Sequence, residues 1–314
     1  MKKQISFTQI VKEEIAETFE NNKNVKPLLA SYIRVNGSLV LRDKQMNIIM
    51  NTENAKIAKL IYSKIKENYG DDVHLSFLQT FKKKTSFTIT IGSVSEDIIA
   101  DLNISFLEGK ISKDMIKNDE MRSAYLAGAF LACGSLNSPS TSNYHLELAF
   151  HSENYAKWFL HLFSRYDGAL IEPKIIQRRE KTVIYLKKSQ QIADFLAIIG
   201  ATNSRMEFEN IRIERDFNNS ENRLVNIDTA NLKKVYSASE KQMKEIKLVD
   251  KKLGINNIQN EKLKLLCSLR LENESVSMNE LALLMSEKMG TPVSKSNINH
   301  LFRSLHQLYL RLTA

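Results

Sequence analysis

The 314 residues leave room for more than one domain, and the 43% apolar and 26% charged shares are those of an ordinary globular chain rather than a disordered one. A formal net charge of +9 favours an anionic partner, with nucleic acid the first candidate. The two cysteines, Cys133 and Cys267, are too far apart to suggest a disulfide framework or a CxxC metal site, and no run approaches the roughly 18 apolar residues of a membrane span.

The opening MKKQISFTQIVKEE has no apolar signal core, so a cytoplasmic protein is the expectation. Ser6 and Gln9 form a capping-box pattern ahead of Phe7, Ile10, Val11, Ile15 and Phe19 at helical spacing. Pro27 suits the first turn of the next helix, which carries LASYIRVNG from Leu29 to Gly37. SLVLRD and QMNIIMNT predict two strands around a turn at Asp43 and Lys44. Thr52 is read as the cap of a helix with Ile57, Leu60, Ile61 and Ile65 on one side. VHLSFLQTF and TSFTITIG then flank a turn containing Lys82, Lys83 and Lys84, and SEDIIADLNI predicts a short helix.

The same order returns about a hundred residues later. LAGAFLACG, Leu126 to Gly134, is followed by a strand near Ser135 and Leu136 and by YHLELAFH. A helix capped by Ser152 comes next, then LIEPKIIQR and TVIYLK around a turn at Glu180 and Lys181, and finally SQQIADFLAII. Leu29 to Leu126 and Thr85 to Thr182 share an offset of 97 residues, and Glu53 to Glu153 is 100. Aligned anchors at a nearly constant offset mark a duplicated α-β-β-α-β-β-α unit.

Beyond Gly200, a short helix is expected from Ala201 to Asn210, then a turn-rich stretch at DFNNSENR, then a long charged helix from Val225 to Leu253 stopped by Gly254. Three further helices follow. Glu261 to Leu271 packs through Leu263, Leu266 and Leu269 or Arg270. A second, boxed by Ser277 and Glu280, runs to Met289. The last is capped by Ser294 and faces the core with Ile298, Leu301, Phe302, Leu305 and Leu308. Helix, short Gly-containing turn and helix is the helix-turn-helix arrangement.

On that last helix, 100° steps set Ser296, Asn299, His300, Arg303 and Gln307 opposite the apolar face, and no Asp or Glu occurs from Thr291 to Ala314. Asn and Gln can pair with adenine and Arg with guanine in the major groove, while Ser294, Lys295 and the helix N-terminus suit phosphates. The plain alternative is a solvated helix face.

Two helices patterned like LAGLIDADG, each followed by β-β-α-β-β-α, resemble the tandem LAGLIDADG homing-endonuclease fold. With the C-terminal helix-turn-helix, the chain resembles the WhiA family of bacterial DNA-binding regulators over nearly its full length. NTENAKIAKLIY, NRLVNIDTANLKK and TPVSKSNINHLFRSL are among the stretches that carry this resemblance. In the nucleases an acid before the final Gly of each helix holds the catalytic metals; here those positions are Asn36 and Cys133, which cannot supply a pair of hard oxygen ligands. Glu53 and Glu153 are matched, but an acid beside a Ser or Thr cap has the structural task of complementing the helix dipole. None of the six histidines has a metal-ligand spacing.

The expected fold is therefore α+β: tandem LAGLIDADG-like repeats in residues 1–210 (repeats 27–104 and 124–200), a charged linker helix in 211–254, and an all-α helix-turn-helix domain in 255–314. The expected function is that of a non-enzymatic, sequence-specific transcription regulator on double-stranded DNA. The resemblance adds cell division and chromosome segregation, and sporulation in sporulating relatives. No metal or cofactor is expected. Localisation is expected to be cytoplasmic and nucleoid-associated, with a regulatory protein as a second partner. Secondary DNA contacts are expected from Lys82, Lys83, Lys84, Arg178, Arg179 and Lys181. The alternatives are an active or nicking endonuclease and a protein-interaction scaffold in which DNA binding is secondary.

Overall fold

A computed structural model describes residues 5–42, 44–79, 85–141, 143–163, 166 and 171–313. Asp43 and the lysine turn Lys82 to Lys84 lie outside the described residues. The chain divides into two compact units, Met1–Asp216 and Phe217–Ala314.

The first unit begins with α1 (Phe7–Phe19), capped by Ser6, and α2 (Val25–Asn36). β1 (Ser38–Arg42), β2 (Gln45–Thr52), β3 (Val73–Gln79) and β4 (Thr85–Ile91) form an antiparallel sheet in the order β1-β2-β4-β3, with α3 (Ala55–Tyr69) between β2 and β3 and α4 (Ser95–Asp101) after β4. The second repeat runs α5 (Asp119–Cys133), β5 (Gly134–Leu136), β6 (Leu146–Phe150), α6 (Glu153–Leu160), β7 (Lys174–Arg178), β8 (Lys181–Leu186) and α7 (Ser189–Ile198). Its sheet has the corresponding order, β5-β6-β8-β7. The duplication read from the offsets is thus a duplication of topology, and the α+β class holds.

The two LAG-type helices, α2 and α5, meet along their lengths at the centre of this unit. Leu28 to Ile33 and Ala124 to Leu131 are all buried. The small residues make this possible: a Cβ placed on Gly128 would fall on the Leu28 carbonyl oxygen and 3.0 Å from its carbon. Helix α1 clamps the repeats. The Thr8 hydroxyl donates to the Leu136 carbonyl (2.7 Å) and accepts from its N–H (2.8 Å), while Lys56 at the start of α3 pairs with Glu17 at 2.7 Å.

Some local readings are corrected. Asn54, not Thr52, caps α3: its side chain accepts from the N–H groups of Lys56 and Ile57, and the Thr52 hydroxyl accepts from Asn54. Glu53 therefore precedes its cap whereas Glu153 opens α6, so the matched acids are not structurally equivalent. The second hairpin turns on Arg179 and Glu180, not on Glu180 and Lys181, because Arg178 pairs with Lys181 across the ladder and Arg179 takes the positive φ of 54°.

The largest departure is α8 (Thr202–Lys252), a single helix of 51 residues where a short helix, a turn-rich stretch and a second helix were expected. No Gly or Pro falls within it, and the Asn and Ser residues that suggested a turn cost only a few tenths of a kcal/mol each in a helix. The domain boundary expected at residue 210 falls inside this helix. Glu14 of α1 anchors its start, accepting from the N–H groups of Asn203 (2.6 Å) and Ser204 (2.8 Å).

In the second unit, the C-terminal part of α8 supplies Ile246 and Val249 to a core shared with α9 (Glu261–Glu272), α10 (Met278–Met289) and α11 (Lys295–Thr313).

Candidate nucleic-acid interface

The helix-turn-helix is built from α10 and α11, and each of its joints has a local cause. Ser277 and Glu280 form a complete capping box at the start of α10. Gly290 ends the helix in the left-handed conformation, φ 65°, which glycine adopts without strain. The Ser286 hydroxyl then ties the turn to α10, donating to the Ala282 carbonyl (2.6 Å) and accepting from the Val293 N–H (2.9 Å). Ser294 caps α11 by accepting from the Asn297 N–H at 3.2 Å. A fourth joint was only half visible in the sequence. Leu269 and Arg270 are both buried, and the Arg270 guanidinium donates to the carbonyls of Val276 (2.7 Å), Asn273 and Glu274 (each 3.4 Å), fixing the α9–α10 connection.

Helix α11 buries Ile298, Leu301, Phe302 and Leu305, leaving Ser294, Lys295, Ser296, His300, Arg303 and Gln307 exposed. Asn299 is different: it is half-buried at the margin of the exposed face, because α8 packs on that side. Asn299, Arg303 and Gln307 line a cleft of about 350 Å³ with Lys241, Gln242 and Glu245 of α8. The His306 ring nitrogen Nδ1 lies 2.8 Å from the Glu245 carboxylate across this seam. Lys241 and the exposed Asn297 extend the polar surface beyond the residues read from the sequence. A helical wheel can flag Asn297, but Lys241 becomes relevant only once α8 is known to pack beside α11.

In the first unit, the residues at the nuclease acid positions have other tasks. The Asn36 side chain accepts from the Asn51 N–H at 3.0 Å, satisfying a strand group beyond the end of β1. Cys133 is half-buried at the end of α5, and burial pushes its thiol up to about 12, partly offset by the nearby cation of Lys12. Lys12 is itself pulled down to about 8 by burial, against the opposing influence of Cys133, and its ammonium stands 5.9 Å from the centre of the Phe130 ring. Where the nuclease pattern would have acids and metal ions, this chain has an amide, a thiol and an ammonium. Among the described residues, no group of three or more His, Cys, Asp or Glu is gathered as a metal ion would require.

The basic residues of the second sheet are separated in their tasks. Arg178 reaches Glu147 at 3.3 Å, and Glu147 also meets His145 at 3.1 Å. Arg179 and Lys181 are exposed at the hairpin end. No helix among the described residues is long and apolar enough to cross a membrane.

Three family models cover most of the sequence: the WhiA N-terminal LAGLIDADG-like domain over residues 22–105, the WhiA LAGLIDADG-like domain over 122–218, and the WhiA C-terminal HTH domain over 222–309. The chain belongs to the WhiA family. A Staphylococcus carnosus (strain TM300) relative named "Probable cell division protein WhiA" is 40% identical over 309 residues, spanning 97% of this chain and 96% of its own. The protein of the same name from Staphylococcus aureus (strain JH9) is 38% identical over the same shares. The crystal structure of full-length DUF199/WhiA from Thermatoga maritima matches with a TM-score of 0.57 at 23% identity, covering 98% of each chain. That of the N-terminal LAGLIDADG domain of DUF199/WhiA gives 0.50 at 20% identity, over 63% of this chain and 92% of that one. These two structures support the WhiA fold assignment.

Proposed function

We propose that this WhiA-family chain is a non-enzymatic, sequence-specific DNA-binding transcription regulator that acts in cell division and chromosome segregation and works at the nucleoid. The observation that carries the reading is the exposed row Ser296, His300, Arg303 and Gln307 on a helix capped by Ser294, with no acid from Thr291 onward. Arg303 and Gln307 are one turn apart, so both can reach base edges in one major groove, while Lys295 and the N-terminus of α11 meet phosphate. The relatives' shared name supports the cell-division role. Asn36 and Cys133 support a non-enzymatic first unit, since neither supplies the charged oxygen ligands of a two-metal site. Arg179 and Lys181 remain available as secondary phosphate contacts there, whereas Arg178 is engaged with Glu147.

Genome-wide mapping of bound DNA, with the wild-type chain and with Arg303→Ala in parallel, tests this function. Discrete wild-type sites that share a sequence and fade in the variant are expected. Uniform occupancy by both proteins would overturn it.

A protein partner is the second reading. Phe217, Leu224, Val225, Ile227, Leu232 and Tyr236 stand 56–69% exposed on α8, an unusual density of large apolar side chains on one helix.

A further inference from the structure

Between Phe217 and Lys234 every residue of α8 is exposed, so this stretch has no core to serve and its side-chain order is free to reflect a partner. At 100° per residue, Arg223, Lys234 and Lys241 fall within about 20° of one another, in a line about 27 Å long. All three are exposed, and none forms an ion pair with a described residue. The acids of the stretch lie elsewhere. Glu221 and Asp228 are about 140–160° away around the helix, and Glu240 is about 100° away and paired with Lys244 at 2.8 Å. The flank between the cations carries the short side chains of Asn226, Ala230, Ser237 and Ala238, with one larger exposed side chain, Ile227, within about 40° of the line. The line also ends at a defined place: Lys241 shares its cleft with Asn299, Arg303 and Gln307 of α11, and the one acid there, Glu245, is buried and engaged with His306 at 2.8 Å.

We infer that Arg223, Lys234 and Lys241 form a phosphate-contacting rail that follows the DNA backbone away from the site engaged by α11. This rests on the DNA-binding reading above and adds a second element to the interface. The rail is cationic along its whole length and supplies no second set of base contacts, so its contribution is to affinity and salt dependence and not to sequence choice. The apolar side of the same helix stays free.

The test is a triple variant of the full chain, Arg223→Gln with Lys234→Gln and Lys241→Gln, whose exposed substitutions preserve helix propensity; circular dichroism checks the fold. Binding to a specific and a random duplex is titrated by fluorescence anisotropy between 50 and 200 mM salt. Three lost phosphate contacts are expected to reduce the slope of log K against log salt by about 2.7, making the loss of affinity across that range about 40-fold smaller than for the wild type. The ratio of specific to random affinity is expected to stay the same. A slope that changes by less than about 1, one contact's worth, overturns the rail. A wild-type chain with no preference for any sequence overturns the function instead, so the two failures are distinguishable.

Discussion

Gly128 lies against the carbonyl of Leu28 so closely that no side chain can be added between them. This contact sets the approach of α2 and α5, and with it the relation of the two sheets that follow directly from those helices. Gly128→Ala must push the helices apart or bend one of them, because the opposing group is backbone and cannot rotate away. The overpacking is expected to cost about 1–3 kcal/mol, offset only in part by alanine's better helix propensity. Thermal unfolding monitored through the first unit should show a lower midpoint; an unchanged or higher one would contradict the packing described.

Lys12 gives a pH-dependent prediction. Its ordinary value of 10.5 falls to about 8 in the folded chain, so between pH 8 and 10.5 the unfolded state binds more protons and stability rises with pH. Cys133 acts oppositely, since its thiol moves from 9.0 to about 12 and stability falls as pH rises through that interval. Between pH 8 and 9 the lysine's effect is the larger of the two, because the unfolded-state thiol is at most half ionised there. Lys12→Met is expected to stabilise the chain at pH 7 by about 1–2 kcal/mol, allowing for solvent at a half-buried side chain, and to flatten the rise between pH 8 and 9. Urea titrations at pH 7, 8 and 9 check both parts.

The duplicated unit was legible because topology is written in repeated spacings: the strand pairs around Thr85 and Thr182 stand in one register with the two LAG helices. Details that depend on competition between neighbours were not. Thr52 and Asn54 are both good caps, and the backbone selects Asn54, whose carbonyl oxygen reaches two N–H groups. The α8 stretch around Asn218, Asn219 and Ser220 has turn composition yet no Gly or Pro to break a helix that continues on both sides. Asn299 belonged to the exposed face on a wheel but is half covered, because the wheel contains α11 alone and not its neighbour α8.

At α11, the helix proposed to face DNA, Arg303→Ala is expected to cost about 1–3 kcal/mol for the specific duplex and to relax preference at one base position. Lys295→Ala is expected to weaken specific and random duplexes alike, as loss of a phosphate contact should. Gel-shift titrations against a set of single-base variants separate the two patterns. Unchanged discrimination in Arg303→Ala would remove that residue from base recognition.

Incubation with supercoiled plasmid and Mg²⁺ or Mn²⁺ is expected to leave the plasmid intact. Asn36 is committed to the Asn51 N–H, and the Cys133 thiol stays protonated at neutral pH with an ammonium beside it. That local positive charge opposes cation entry at the place where two metals would have to sit together. Metal-dependent nicking that disappears in a point variant of the first unit would reverse this conclusion.

Arg270 makes the last prediction. Its guanidinium is buried in the second unit with three carbonyl acceptors from one connection, stacks 5.7 Å from the centre of the Phe302 ring, and has its pKa lowered by burial. Removing it would take a donor from the Asn273 and Val276 carbonyls, leave the Glu274 carbonyl with the Ser239 hydroxyl, and open space beside a ring of α11. Arg270→Met fills much of the volume but returns no donor, and Arg270→Lys returns a charge without the planar fork. Both are expected to destabilise the second unit, by about 2–4 kcal/mol for Met and less for Lys. Faster amide exchange should appear first at the α9–α10 connection. Because the same side chain touches Phe302, DNA affinity should fall together with that protection, and full affinity in a variant with exposed connection amides would separate the joint from the recognition helix.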